Sequence, residues 1–313
     1  MRIVISEFMD EAAVSGLAAR HDTLYDKGLV DHPDALRAAL PGAHALIVRN
    51  RTQVNRQMLA VAPSLKVIGR LGVGLDNIDV DACRERGIEV IPATGANALA
   101  VAEYVIGAAM FLLRGAYSSS AAVAQGKWPR ATLSNGRELA GKTLGIVGFG
   151  GIGRLAGRLG RALGMRVIGF DAQIAPYAKI WSDEATAAYG LDALLAEADV
   201  ITLHVPLVDA TRHLIDATQL GRMKPGAILI NTSRGGVVDE SAVATALKEG
   251  RLGGAALDVF EREPLAAGSP LVDCPNLLLT PHIAGVTAES NTRVSAMIAE
   301  KVAAVLARMR TAS

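Results

Sequence analysis

The chain has 313 residues, half of them apolar, and its charge is nearly balanced, with 32 basic and 31 acidic side chains. That length allows two domains of ordinary size, and the balance excludes the basic footprint of a nucleic-acid binder or an anionic-membrane binder. Cys83 and Cys274 lie far apart and fit no metal-ligand spacing, which excludes a disulfide framework and points to a reducing cytoplasm.

The opening "MRIVISEF" holds a four-residue apolar run, too short for a signal-peptide core, and reads as a first strand. "ALIVR", "KVIGRLG" and "IEVIP" follow as further strands, with helical stretches near residues 10–20, 34–40, 55–61 and 79–86. This alternation predicts a parallel sheet with helices on its faces. A long helical pattern covers about 98 to 114; it contains Glu103 and falls short of a membrane span. The polar, poorly periodic segment 115–141 has the length of an arm, a lid or a contact surface. Strand patterns resume at "TLGIVGFG" and continue through "MRVIGFD", "DVITLHV", "AILINTS", "AALDVF" and "LLLTPH", and a last helix runs over about 287 to 309. The expected fold class is α/β, with two doubly wound parallel-sheet (Rossmann-like) domains and an interdomain cleft, a common place for a ligand. One domain takes residues 1–97 plus 286–313, the other 98–285.

"TLGIVGFGGIGRLAGRLGRALGMRVIGFD" is the most specific stretch up to this point. A strand ends in Gly148, Phe149, Gly150, Gly151, Ile152 and Gly153, and a helix begins there. Gly148 permits a tight turn, Gly150 lets the backbone approach a pyrophosphate, and Gly153 lets helix pack on strand. The second strand ends in Asp171, 18 residues after Gly153, where a carboxylate can bind both ribose hydroxyls and repel a 2′-phosphate. No arginine stands near it, since Gln173 and Ile174 follow, so the motif favours NAD over NADP. A glycine turn that binds nothing would account for the glycines but not for the aspartate.

Three more segments fall at strand ends of the same domain: "INTSRGGVVDE", "LDVFEREP" and "TPHIAG". Hydride transfer on a 2-hydroxy acid needs a cation for the carboxylate and carbonyl, a base for the hydroxyl proton, and a group to tune that base. Arg234, His282 and Glu263 supply one of each. Singly they read as a capping arginine, a packed histidine and a solvated glutamate; together, in the chain order Arg234, Glu263, His282 after a dinucleotide motif, they read as an active site.

With these segments in view the chain resembles the D-isomer-specific 2-hydroxyacid dehydrogenase family over nearly its whole length. The likeness rests on "RLGVGLDNID" (70–79), "ALAVAEYVIG" (98–107), "GKTLGIVGFGGIG" (141–153), "LHVPL" (203–207), "KPGAILINTSRGGVVDE" (224–240), "GAALDVFEREP" (254–264) and "LTPHIAG" (279–285). The resemblance implies that His282 is the acid/base, Glu263 its carboxylate partner and Arg234 the polarising, substrate-binding cation. It further implies that backbone N–H groups near Val73 and Gly74 hold the substrate carboxylate, and that Val205 borders the adenosine. Asp258 and the Thr232-Ser233-Arg234 backbone would meet the nicotinamide carboxamide, with His282 and Gly285 closing the cofactor site. Segment 115–141 would be an arm embracing a second subunit of a homodimer.

"SEFMDEA" (6–12), "ALIVRNRTQV" (45–54), "KWPR" (127–130) and "HIAGVTAESN" (282–291) resemble family members that act on 3-sulfolactate, giving 3-sulfopyruvate; those acting on 3-phosphoglycerate are the near rivals. Either substrate carries a second, tetrahedral anion, for which Arg49, Arg51 and Arg70 at strand ends are the candidates. No regulatory serine-binding domain is expected after the final helix. A glyoxylate or hydroxypyruvate reductase is disfavoured by Asp171, a formate dehydrogenase by Glu263 in place of glutamine, and an NAD-sensing corepressor by the complete Arg-Glu-His set.

Overall fold

The computed structural model describes residues 1–311, without the side chains of Arg310 and Thr311. The chain divides into two units, Met1–Asn97 with Val286–Ser313, and Ala98–Gly285.

In the first unit β1 (Arg2–Ile5), α1 (Glu11–Ala18), β2 (Asp22–Tyr25), α2 (Pro33–Ala39), β3 (Ala45–Val48), α3 (Arg56–Ala60), β4 (Val67–Arg70), α4 (Val80–Glu85) and β5 (Glu89–Pro92) alternate. All strand pairings are parallel, in the order β2-β1-β3-β4-β5. β3 is "ALIV", buried at all four positions, as a strand covered on both faces must be. Asp10, Asn55 and Asp79 cap α1, α3 and α4 by accepting backbone N–H groups of the first turn. The last helix, here numbered α13 (Ala288–Thr311), packs on this sheet through Val294, Ile298, Val302 and Leu306. It lies so close to β4 that a Cβ on Gly69 would sit 2.6 Å from Ile298, which is why a strand interior carries glycine there. β2 was not expected: "DTLY" starts on an aspartate and forms the sheet edge, where a short, half-polar strand is tolerated.

The second unit opens with α5 (Ala98–Arg114), matching the expected long helix. Segment 115–141 holds a 3₁₀ turn (Ala116–Ser119), α6 (Ser120–Ala124) and α7 (Arg130–Leu133) rather than irregular chain alone. Then come β6 (Thr143–Val147), α8 (Gly151–Ala162), β7 (Arg166–Phe170), α9 (Lys179–Asp183), β8 (Ala187–Ala188), α10 (Leu191–Glu197), β9 (Val200–Leu203) and α11 (Ala217–Arg222). β10 (Ala227–Asn231), α12 (Glu240–Lys248), β11 (Leu252–Leu257) and β12 (Leu277–Leu279) complete it. The seven strands are parallel in the order β12-β11-β10-β9-β6-β7-β8. The two-residue edge strand β8 carries too little pattern to be seen in sequence. The order turns back between β6 and β9, and open α/β sheets bind ligands outside the carboxyl ends of their strands at such a point. Among the described residues no single helix is long and apolar enough to cross a membrane.

Candidate active site

The sheet order alone groups the candidate residues of the second unit. Gly148 follows β6, Asp171 follows β7 and Val205 follows β9, all around the reversal of strand order. Arg234 follows β10, Glu263 lies beyond β11 and His282 follows β12, on three neighbouring strands. Adjacent parallel strands run about 4.8 Å apart, so their carboxyl ends can place three side chains within reach of one small molecule.

Gly148 has φ +94°, and a Cβ there would come within 2.6 Å of the His204 carbonyl oxygen and 3.1 Å of Val205. A Cβ on Gly153 would meet the Gly148 carbonyl oxygen at 2.3 Å. Gly150 and Gly151 are exposed and face open space, with Ile152 half-buried beyond them in the first turn of α8. Backbone N–H groups at the start of a helix, in a place no side chain obstructs, suit a pyrophosphate. Each Asp171 oxygen accepts one backbone N–H at 2.8 Å, from Phe149 and from Gln173, which fixes the carboxylate across from the glycine turn. Thr232 Oγ1 is buried and has no hydrogen-bond partner, a polar atom awaiting a ligand group. The open glycines, the fixed carboxylate and the orphaned hydroxyl fit a dinucleotide.

Beside it, His282 Nδ1 and Glu263 Oε2 are 2.7 Å apart, and Glu263 Oε1 accepts the Phe260 N–H at 3.1 Å. This contact assigns the Nδ1 proton to the glutamate side and leaves Nε2 for chemistry. His282 takes φ +56°, uncommon for a residue with a Cβ. Asp258, 1% exposed, holds that turn. Its carbonyl accepts the His282 N–H at 2.8 Å, and its carboxylate accepts those of Ile283 and Ala284, each at 2.8 Å. Thr280 Oγ1 donates to the same carboxylate at 2.6 Å, and Tyr104 Oη of α5 is 2.6 Å from Thr280 Oγ1. Burial pushes the Tyr104 phenol up, opposed by its contact with Thr280. Asp258 thus shapes the histidine loop, a task its sequence position alone does not announce. Sequence reading missed Thr280 and Tyr104, since 176 positions separate the two. It also missed Asn231, whose Oδ1 accepts from Ser233 N at 3.0 Å and Ser233 Oγ at 2.7 Å, while its Nδ2 donates to the Arg234 carbonyl at 3.0 Å. An asparagine two residues before a serine at a strand end is the Asx-turn signal that could have found it. Arg234 donates to the Ser233 carbonyl at 2.6 Å, and Gly285 is the last residue of the unit.

In the first unit Arg49 follows β3 and Arg70 ends β4. Arg49 is half-buried, and loss of solvent pushes its guanidinium down, with Glu7 opposing. The Arg70 guanidinium covers Gly72, in space a Cβ there would fill, and Val73 and Gly74 continue that loop. Arg51 differs from the other two: its exposed guanidinium is paired with Asp31.

The family model for the NAD-binding domain of D-isomer specific 2-hydroxyacid dehydrogenases matches residues 106–284. The chain belongs to that family. This dehydrogenase is 52% identical over 96% of both chains to the (S)-sulfolactate dehydrogenase of Chromohalobacter salexigens. It is 39% identical to the D-3-phosphoglycerate dehydrogenase of Methanocaldococcus jannaschii, covering 98% of this chain but spanning only 57% of that relative. The TT0316 protein of Thermus thermophilus superposes with a TM-score of 0.88 at 34% identity, over 98% of this chain and 97% of that one. The dehydrogenase is an NAD-dependent oxidoreductase with the α/β architecture expected from its sequence.

Proposed function

We propose that this dehydrogenase interconverts 3-sulfolactate and 3-sulfopyruvate. The observation that carries the reading is the 52% identity, over 96% of each chain, to a sulfolactate dehydrogenase. Bound at the open glycines, the cofactor would supply the hydride acceptor for C2 of the hydroxy acid in its oxidised form, NAD, and the hydride donor to the keto acid in its reduced form, NADH. His282 Nε2 accepts the hydroxyl proton in oxidation and donates it in reduction, while Glu263 keeps the ring oriented through Nδ1 and stabilises the imidazolium. Arg234 binds the carboxylate and polarises the C2 oxygen, with the N–H groups of Val73 and Gly74 as further carboxylate donors. Asp171 takes the ribose hydroxyls, and Thr232, Ser233 and Asp258 line the nicotinamide side. Arg49, a half-buried cation, receives the distal sulfonate, with Arg70 beside it; Arg51, committed to Asp31, has no part.

The enzyme is a homodimer in the cytoplasm in this reading. Tyr117, Val123 and Trp128 support the first part, since they leave segment 115–141 with three exposed large apolar side chains. The two free cysteines suit the second. Kinetics with sulfolactate, 3-phosphoglycerate, lactate, malate and glycerate test the substrate. Sulfolactate should give the highest kcat/KM, and Arg49→Met should raise its KM roughly 10- to 100-fold, as for a lost charge-assisted hydrogen bond. Lactate oxidised as efficiently as sulfolactate would overturn the assignment.

A further inference from the structure

Arg49 is held by groups that the reaction itself does not use. Glu7 lies two residues past the end of β1 and is 4% exposed. Its carboxylate accepts three backbone N–H groups from one short loop: Arg49 at 2.8 Å and Thr52 at 3.0 Å on Oε1, and Arg51 at 3.2 Å on Oε2. Asn77 closes the loop from another side, with Nδ2 donating to the Thr52 carbonyl at 2.7 Å and to the Arg49 carbonyl at 3.4 Å. The Arg49 side chain then donates to Asn291 Oδ1 of α13 at 2.7 Å, and its guanidinium carbon lies 5.8 Å from the Phe8 ring centroid.

Burying a carboxylate costs several kcal/mol unless hydrogen bonds replace its water, and an ordinary surface loop between a strand and a helix does not require one. Here the burial fixes the loop backbone at three residues, and the first of them, on the shortest of the three hydrogen bonds, is Arg49. Asn291 completes this at the far end of the side chain. Its partner atom is an amide oxygen, which orients the guanidinium without cancelling its charge. The location has independent meaning, because the order β2-β1-β3-β4-β5 turns back between β1 and β3. Glu7 and Phe8 come from the end of the first, Arg49 from the end of the second, so the network occupies the point where such sheets bind ligands.

We propose that Glu7 and Asn291 are specificity-determining positioning residues, which hold Arg49 in the orientation that takes the tetrahedral distal anion of the substrate. Glu7 acts through the loop backbone and Asn291 through the guanidinium. The inference rests on the role given to Arg49 above.

The test uses the full-length enzyme with saturating NAD and compares sulfolactate with lactate, which lacks the distal anion. Glu7→Gln leaves an amide that can no longer accept from all three N–H groups. It should raise the sulfolactate KM about 10-fold with kcat changed less than about 3-fold, and Asn291→Ala should raise it about 3- to 5-fold. The ratio of kcat/KM for sulfolactate to that for lactate should fall accordingly. In an Arg49→Met background neither change should lower that ratio further, because both act through the arginine. Effects that add to that of Arg49→Met, or a fall in Tm with KM intact, would overturn the positioning role. If Glu7→Gln does not fold, the half-buried Asn291→Ala carries the test by itself. Should Arg49→Met leave the ratio unchanged, the distal-anion role of Arg49 fails, and the positioning role with it. Should Arg49→Met lower the ratio while Glu7→Gln and Asn291→Ala do not, only the positioning role fails.

Discussion

Replacing Asp171 with alanine should erode the preference for NAD over NADP, by an amount that follows from the geometry. Each oxygen of this carboxylate already accepts one backbone N–H, at 2.8 Å, from Phe149 or Gln173. Each therefore has an acceptor direction left, which suits the adjacent 2′- and 3′-hydroxyls of an adenosine ribose. A hydrogen bond to a charged group is worth roughly 1.5–3 kcal/mol, and at this half-buried position the lower figure applies. Losing two such bonds costs about 3 kcal/mol, or roughly 100-fold in NAD affinity. The substitution also removes repulsion of a 2′-phosphate. For a charge of about −2 at about 5 Å in water this is about 1.7 kcal/mol, and salt reduces it to several-fold in NADP affinity. Together the ratio of kcat/KM for NAD to that for NADP should fall roughly 100- to 1,000-fold. Steady-state kinetics with both cofactors at saturating hydroxy acid give the ratio. A fluorescence titration with NADH checks that the loss lies in binding. A ratio within about 3-fold of the parent value, in a variant with unchanged Tm, would refute the reasoning.

His282→Ala should lower kcat at least about 100-fold while NADH binding, measured by the same titration, is largely kept; near-normal kcat would return this histidine to a packing role. His204 offers a pH test of stability. Burial pushes its imidazole down to about 4, from 6.5, and Thr202 Oγ1 lies 3.0 Å from its Nε2. The unfolded chain binds the extra proton between those values, so stability that is complete above about pH 6.5 is lost as the pH falls toward about 4. Part of the residue reaches solvent, so the loss is at most about 3 kcal/mol. His204→Asn, which does not titrate, should show a shallower decline of Tm between about pH 6.5 and 4.5; parallel slopes for variant and parent would count against this account.

The repeating strand–helix order, the dinucleotide turn and the three candidate residues Arg234, Glu263 and His282 could all be read from the amino-acid sequence. Each is written locally: apolar runs set strands, Gly148 to Gly153 set a turn that only small residues can make, and Asp171 follows at the end of the next strand. Arg234 and His282 were legible because parallel strands all end on one side, so a residue just past a strand is placed by that fact, while Glu263, six residues beyond β11, is brought to His282 by the loop between. Contacts between positions with no sequential relation came only with the folded chain. That Asp258 with Thr280 and Tyr104 would hold the histidine loop depends on α5 packing beside β12. That Arg51 would pair with Asp31 while Arg49 turns to Asn291 depends on which neighbour each loop meets. Identical side chains two residues apart carry no such distinction in sequence. Burial and hydrogen-bond partners separate them, and both are properties of the folded chain rather than of any segment of it.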